Sequence, residues 1–136
     1  MIVWGGWSQD DSLVDGAGYD PTVDSWRILS DSAWKPGHPD YAVVMGGNWM
    51  FVWDNRTQVQ YEGGWPSHSV EPPYSLAYES TDDRWVELPP GPLPPREEAA
   101  TIWTGSEVIL WGDTHTVNKY ESYPQSDGAA IRLPLP

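Results

Sequence analysis

Cysteine is missing from this 136-residue chain. Disulfide frameworks, thiolate metal sites, thiol nucleophiles and thiol redox switches are therefore excluded. Positive charge is scarce: 7 Lys and Arg stand against 20 Asp and Glu, a formal net charge of −13. A nucleic-acid binder replaces phosphate counterions with Lys and Arg, so this balance excludes that class. An anionic membrane surface is disfavoured for the same reason. No apolar run approaches the ~18 residues of a membrane span. No basic-then-apolar leader is visible at the start, so no signal peptide is expected. Sustained 3.6-residue periodicity is also lacking, and 14 prolines are scattered along the chain. Almost no helix is expected.

What is abundant is tryptophan, with 10 copies beside 7 tyrosines and 13 glycines. Such aromatic content argues against disorder, and the length fits one compact unit with a sizeable core. The sequence repeats. Residues 41–55 align without a gap on residues 99–113, an offset of 58. Met1-Ile-Val-Trp-Gly-Gly6 joins this register over Met50-Phe-Val-Trp-Asp-Asn55 and Val108-Ile-Leu-Trp-Gly-Asp113, so Trp4, Trp53 and Trp111 are equivalent. A second segment, Gly18 to Leu29, aligns on Ala77 to Leu88 at an offset of 59. A weaker third copy begins at Lys119-Tyr-Glu-Ser122 and continues to Ile131-Arg-Leu133.

These segments are short β-branched and aromatic runs separated by turn residues, which is the pattern of hairpins. The expectation is an all-β chain of repeated meanders with strands A, B, C and D. Residues 41–88 and 99–134 form full units, and residues 1–30 form a unit lacking its first, innermost strand. A single four-stranded sheet cannot hide both faces, whereas stacked or radially repeated sheets can, as in β-propellers.

The order of a hydrophobic hairpin ending in Gly-Gly, a Tyr-Asp pair and a Trp further on resembles the kelch repeat. Ile2-Val-Trp-Gly-Gly6, Tyr19-Asp20 and Trp26 carry the likeness in the first unit. The second keeps Tyr78-Glu79 and Trp85 but has Asp54-Asn55 for the glycines; the third keeps Gly112-Asp113 and Tyr120-Glu121. The resemblance implies a partial kelch-type β-propeller of about three blades. It also implies a structural blade core of Trp4, Tyr19, Trp26, Trp53, Tyr78, Trp85, Trp111 and Tyr120. Both ends read as cut within a repeat. The expected partners are therefore missing blades of the same propeller or a second copy of the chain.

Strand parity sorts the connections. The A–B and C–D turns share one end of the blades and are short. The B–C loops and D–A links share the other end and are long. Long connections on a rigid scaffold carry binding more often than short ones. The longest, residues 55–74, holds Arg56, Tyr61, Glu62, Trp65 and His68; Trp34, His38, Arg96, Glu97 and His115 lie in neighbouring connections. Planar aromatics with a few charged groups suit a sugar or a peptide. The candidate ligand-binding set is thus Trp34, Arg56, Tyr61, Glu62, Trp65, His68, Arg96 and His115.

Catalytic and metal readings fare worse. The kelch propeller of galactose oxidase works through a Cys-crosslinked Tyr, which a chain without cysteine cannot form. His38, His68 and His115 lie in three separate loops without paired spacing, so no metal site is expected. Asp10-Asp11 with Asp15-Gly16 lacks the ligand alternation of a calcium loop. Adjacent Glu97 and Glu98 do not make a glycosidase pair. No catalytic residue and no cofactor are assigned. The expected role is a non-catalytic platform binding protein or glycan. The alternative is part of a carbohydrate-active propeller enzyme (oxidase, epimerase or glycosidase type) completed by missing blades. A soluble chain is expected, secreted or cytoplasmic, and its scarce Lys with abundant Trp, Asp and Pro is associated with high-GC bacteria.

Overall fold

The computed structural model describes residues 1–8, 13–32, 41–54, 58–62, 65–69, 74–94, 96, 99–118 and 121–133. Among these residues there are only strands, turns and irregular segments. The first unit supplies β1 (Ile2–Trp4), β2 (Gly16–Asp20) and β3 (Ser25–Ile28). The second supplies β4 (Ala42–Gly46), β5 (Trp49–Asp54), β6 (Gln58–Glu62), β7 (Trp65–Ser69), β8 (Tyr74–Glu79) and β9 (Arg84–Leu88). The third supplies β10 (Ala100–Trp103), β11 (Val108–Trp111), β12 (Thr114–Asn118), β13 (Glu121–Pro124) and β14 (Gly128–Ile131). Three antiparallel meander sheets result, in the orders β1-β2-β3, β4-β5-β8-β9 and β10-β11-β14, with β6-β7 and β12-β13 as separate hairpins. The fold is all-β and built of blade-like sheets, the first without strand A. No helix among the described residues is long and apolar enough to cross a membrane.

Sheet two lies between the other two, and strand alternation divides its residues between two cores. Trp49, Phe51, Trp53 and Ala77 pack with Val108, Leu110 and Leu133 of unit three. Met50, Val52, Leu76 and Tyr78 pack with Leu29, Ile2 and Trp4 of unit one. This explains why β5 reads Trp-Met-Phe-Val-Trp without a polar interruption: both faces are covered. Burial of a side chain such as Phe51, at 0 % exposure, contributes roughly 1.5–3 kcal/mol. Trp49, absent from the sequence-based core set, is as buried as Trp53.

In the first two repeats the Tyr-acid pair builds the C–D turn. Asp20 accepts from the backbone N and the Oγ1 of Thr22 at 2.8 and 2.6 Å. Glu79 accepts from the backbone N of Thr81 and Asp82 at 3.1 and 2.7 Å. Each turn then ends on an aspartate in the left-handed region, Asp24 at φ 47° and Asp83 at φ 52°, a conformation Asp tolerates better than most residues. Those aspartates accept the tyrosine hydroxyls, Tyr19 to Asp24 at 2.8 Å and Tyr78 to Asp83 at 2.5 Å. The following Trp packs at a tilt against the same tyrosine, with centroids 5.1 Å apart for Tyr19–Trp26 and 5.0 Å for Tyr78–Trp85.

Three expectations are corrected. The connection after β5 is not a structureless loop, because β6 and β7 pair across a two-residue link. Strand C of unit three is not at Lys119–Ser122. Glu121 and Ser122 lie in hairpin strand β13, and the strand pairing β11 is β14, Gly128–Ile131. Its register repeats that of unit one: Trp4 pairs Gly16 and Trp111 pairs Gly128. Gly5 N donates to Asp15 O at 2.9 Å, and Gly112 N donates to Asp127 O at 3.0 Å. With Ile131 used in strand C, no strand D of unit three occurs among the described residues. Finally, Trp26 and Trp111 were expected as blade fillers but are 56 % and 55 % exposed. Each lies on the outer side of a terminal sheet, where no further sheet among the described residues packs on it. Tyr120 lies outside the described residues.

Candidate binding face

The glycine pair after strand B turns the chain out of the sheets. Gly5 and Gly112 adopt φ 69° and 72°, and Asp113 follows at 76°. The φ at Gly5 favours glycine, and a Cβ there would stand 2.5 Å from the Tyr41 hydroxyl, the tip of a side chain that would have to shift. In unit two Asp54 instead continues the strand and pairs Tyr74. From these B–C connections the two hairpins arise, β6-β7 from sheet two and β12-β13 from sheet three. Strand direction puts both connections at the same end of their sheets, opposite the short A–B and C–D turns.

The candidate residues are distributed as follows. Tyr61 and Glu62 lie at the end of β6, and Trp65 and His68 lie in β7. The register pairs Glu62 with Trp65, Tyr61 with Pro66 and Val59 with His68. One hairpin therefore brings four of the candidates together along its backbone. His115 lies on the other hairpin, where it pairs Tyr123. Trp34, Arg56, His38 and Glu97 lie outside the described residues, as do Asp10 and Asp11.

Arg96 is displaced from the candidate surface. It is 1 % exposed, and Nη1 donates to Asp127 O at 2.9 Å and to Gly112 O at 3.3 Å. Nη2 stands 2.9 Å from Asp127 Oδ1, an ion pair without hydrogen-bond alignment. The guanidinium thus ties together the two backbone points where the chain leaves β11 and enters β14. The expectation made Arg96 a ligand contact in the D–A link; its planar fork instead fastens the base of the B–C connection of unit three.

A polar network joins the C–D turn of sheet two to strand D of sheet one and to Ser30 beyond it. Arg27 donates to Ser80 O at 2.7 Å and to the Tyr78 hydroxyl at 3.3 Å, and it stands 3.5 Å from Asp83. Ser30 donates through its backbone N to Asp83 Oδ1 at 3.1 Å and through Oγ to Asp83 O at 2.7 Å. The Tyr78 hydroxyl, then the Ser30 donors and Arg27, hold the Asp83 carboxyl below its ordinary range. Burial, reinforced by Asp83, pushes the Tyr78 hydroxyl up. Beside this network an open cleft of about 300 Å³ is lined by Ile2, Tyr19, Asp20, Arg27, Met45 and Ser80, among others. The cleft and the two hairpins are thus at opposite ends. Among the described residues no group of three or more His, Asp or Glu is placed to hold a metal ion.

The sequence reading missed the hairpins, although Gly63-Gly64 between two five-residue strands is a hairpin signal. It also missed the repeated Asp-Gly-Ala at 15–17 and 127–129, which marks the start of strand C. No protein-family model matches the chain, and no curated protein matches it at a significant level.

Proposed function

We propose that this chain is a segment of a kelch-type β-propeller that acts as a non-catalytic platform, binding protein or glycan at its long-connection end. The single observation that carries the reading is the hairpin β6-β7. It inserts between strands B and C of the central sheet and sets Tyr61, Glu62, Trp65 and His68 on one two-stranded ribbon. A ribbon on a buried, rigid sheet meets the requirement of a binding element, since the scaffold rather than the loop supplies the ordering. The register sets Glu62 and Trp65 at positions of one face of the ribbon and Tyr61 and His68 at positions of the other; aromatic, acidic and imidazole groups are the chemistry that sugars and short peptides both use. The hairpin β12-β13 of sheet three, carrying His115, extends the same end.

The test uses the full chain on a glycan array and against a displayed peptide library. Selected ligands should bind Trp65→Ala at least about tenfold more weakly, a loss of roughly 1.4 kcal/mol. Unchanged binding after replacement of residues 58–69 by a short Gly-Ser link would remove the hairpin from the reading.

A further inference from the structure

The two outermost sheet faces are apolar, and each has a repeat equivalent in an interface that the chain already contains. In sheet one, the register pairs Val3 with Ala17, Ala17 with Ile28 and Tyr19 with Trp26. Residues opposite each other on antiparallel strands share a face, so these form the side turned away from sheet two. Val3, Trp26 and Ile28 are all exposed there. In sheet three, Ile102 pairs Ile109, and Ala100 pairs Trp111, on the side turned away from sheet two. Ile102 and Trp111 are exposed.

Repeat equivalence says what such faces pack against. Val3, Tyr19 and Trp26 correspond to Val52, Tyr78 and Trp85, which form the face of sheet two that sheet one covers. Ile102, Ile109 and Trp111 correspond to Val44, Phe51 and Trp53, which form the face of sheet two that sheet three covers. The open side of sheet one is thus the type of face that receives a preceding sheet. The open side of sheet three is the type that receives a following one. Contiguous apolar faces of this kind mark interaction surfaces.

We propose that the outer face of sheet one in one copy docks on the outer face of sheet three in a second copy, repeating between chains the packing found within the chain. Such a contact is head-to-tail, so it must close into a ring or continue as a filament. Radially stacked sheets of this type close at about 4–8 per ring. With three meander sheets per copy among the described residues, two copies give the one whole number of such sheets within that range. The Arg27–Asp83 link between sheets one and two has no counterpart among the described residues of sheet three, so apolar positions carry the contact. The proposal stands on these faces and does not depend on ligand binding by the hairpins.

The experiment is light scattering after size exclusion on the full chain and on two variants, Ile28→Lys and Ile102→Lys. Both side chains are exposed, at 79 % and 55 %, so each variant keeps the fold of a single copy, checked by circular dichroism. Wild type should elute as a discrete dimer of about 31 kDa, twice 15.3 kDa. Each variant alone loses both contacts of the ring and should dissociate at least about tenfold more readily, because a charge is buried unpaired. An equimolar mixture of the two variants recovers one intact contact and should dimerise again. A folded wild-type monomer, an open-ended polymer, a dimer indifferent to both substitutions, or a mixture that stays monomeric would each overturn the proposal.

Discussion

At the scale of single residues, two side chains separate structural work from surface chemistry. Asp83 joins the turn of sheet two to sheet one through Tyr78, Ser30 and Arg27. Its carboxyl titrates below the ordinary value of ~3.9. The stability it contributes is therefore complete above that value and is lost as pH falls through its lower folded value. Tyr78 is raised instead; its contribution is complete below the ordinary tyrosine range and fades as pH rises through the higher folded value. Asp83→Asn, which keeps a side chain tolerant of positive φ, should cost about 1 kcal/mol at neutral pH, since the group is partly solvated. Urea unfolding should show a shallower acid limb below about pH 4 than wild type; equal slopes would dismiss the network. Arg96 gives the second case. Removing a fully buried side chain that caps two carbonyls should cost roughly 2–3 kcal/mol in Arg96→Ala. A fully stable Arg96→Ala chain would contradict its placement. The sequence presents Arg96 merely as a charge in a proline-rich link; its burial depends on the later return of the chain at Asp127.

At the scale of elements, the sheets and the hairpins are separable. Strands β6 and β7 pair only with each other among the described strands, so the four-strand meander of sheet two does not need them. Replacing residues 58–69 by a short link should shift the melting temperature by a few degrees at most, roughly 1 kcal/mol or less. A large loss of stability would mean that the ribbon is part of the sheet two core. The sheets were legible in the sequence because alternation and turn chemistry agree: Gly47 at φ 60° closes β4 on β5, and the four-residue turns at 21–24 and 80–83 lie where the repeats put them. The third strand C was misassigned, although the Asp-Gly-Ala at 127–129 repeats the one that opens strand C of unit one. Lys119-Tyr-Glu-Ser122 imitates the Tyr-acid pair, whereas the true strand, Gly128-Ala-Ala-Ile131, lacks both residues. What fixes it is the flat approach to Trp111, since a Cβ at Gly128 would come within 2.6 Å of that indole and 2.5 Å of Leu110 O.

At the scale of the whole molecule, burial is set by neighbours and not by residue type. Trp53 and Trp111 hold one repeat position, yet one is 2 % and the other 55 % exposed. The repeats reveal which positions are able to be buried; the number of sheets decides which of them are. The proposed association between copies would cover Trp26 and Trp111. The sheets also meet through a pair of indoles. Trp4 of sheet one and Trp85 of sheet two lie 4.9 Å apart at an interplanar angle of 48°. Each is fixed by its own indole nitrogen, Trp4 to Val14 O and Trp85 to Ser30 O. Two chromophores held so closely and at an oblique angle couple their electronic transitions. The chain therefore carries an intrinsic optical gauge of the gap between its first two sheets, one that responds when the sheets part even while every strand within them remains paired.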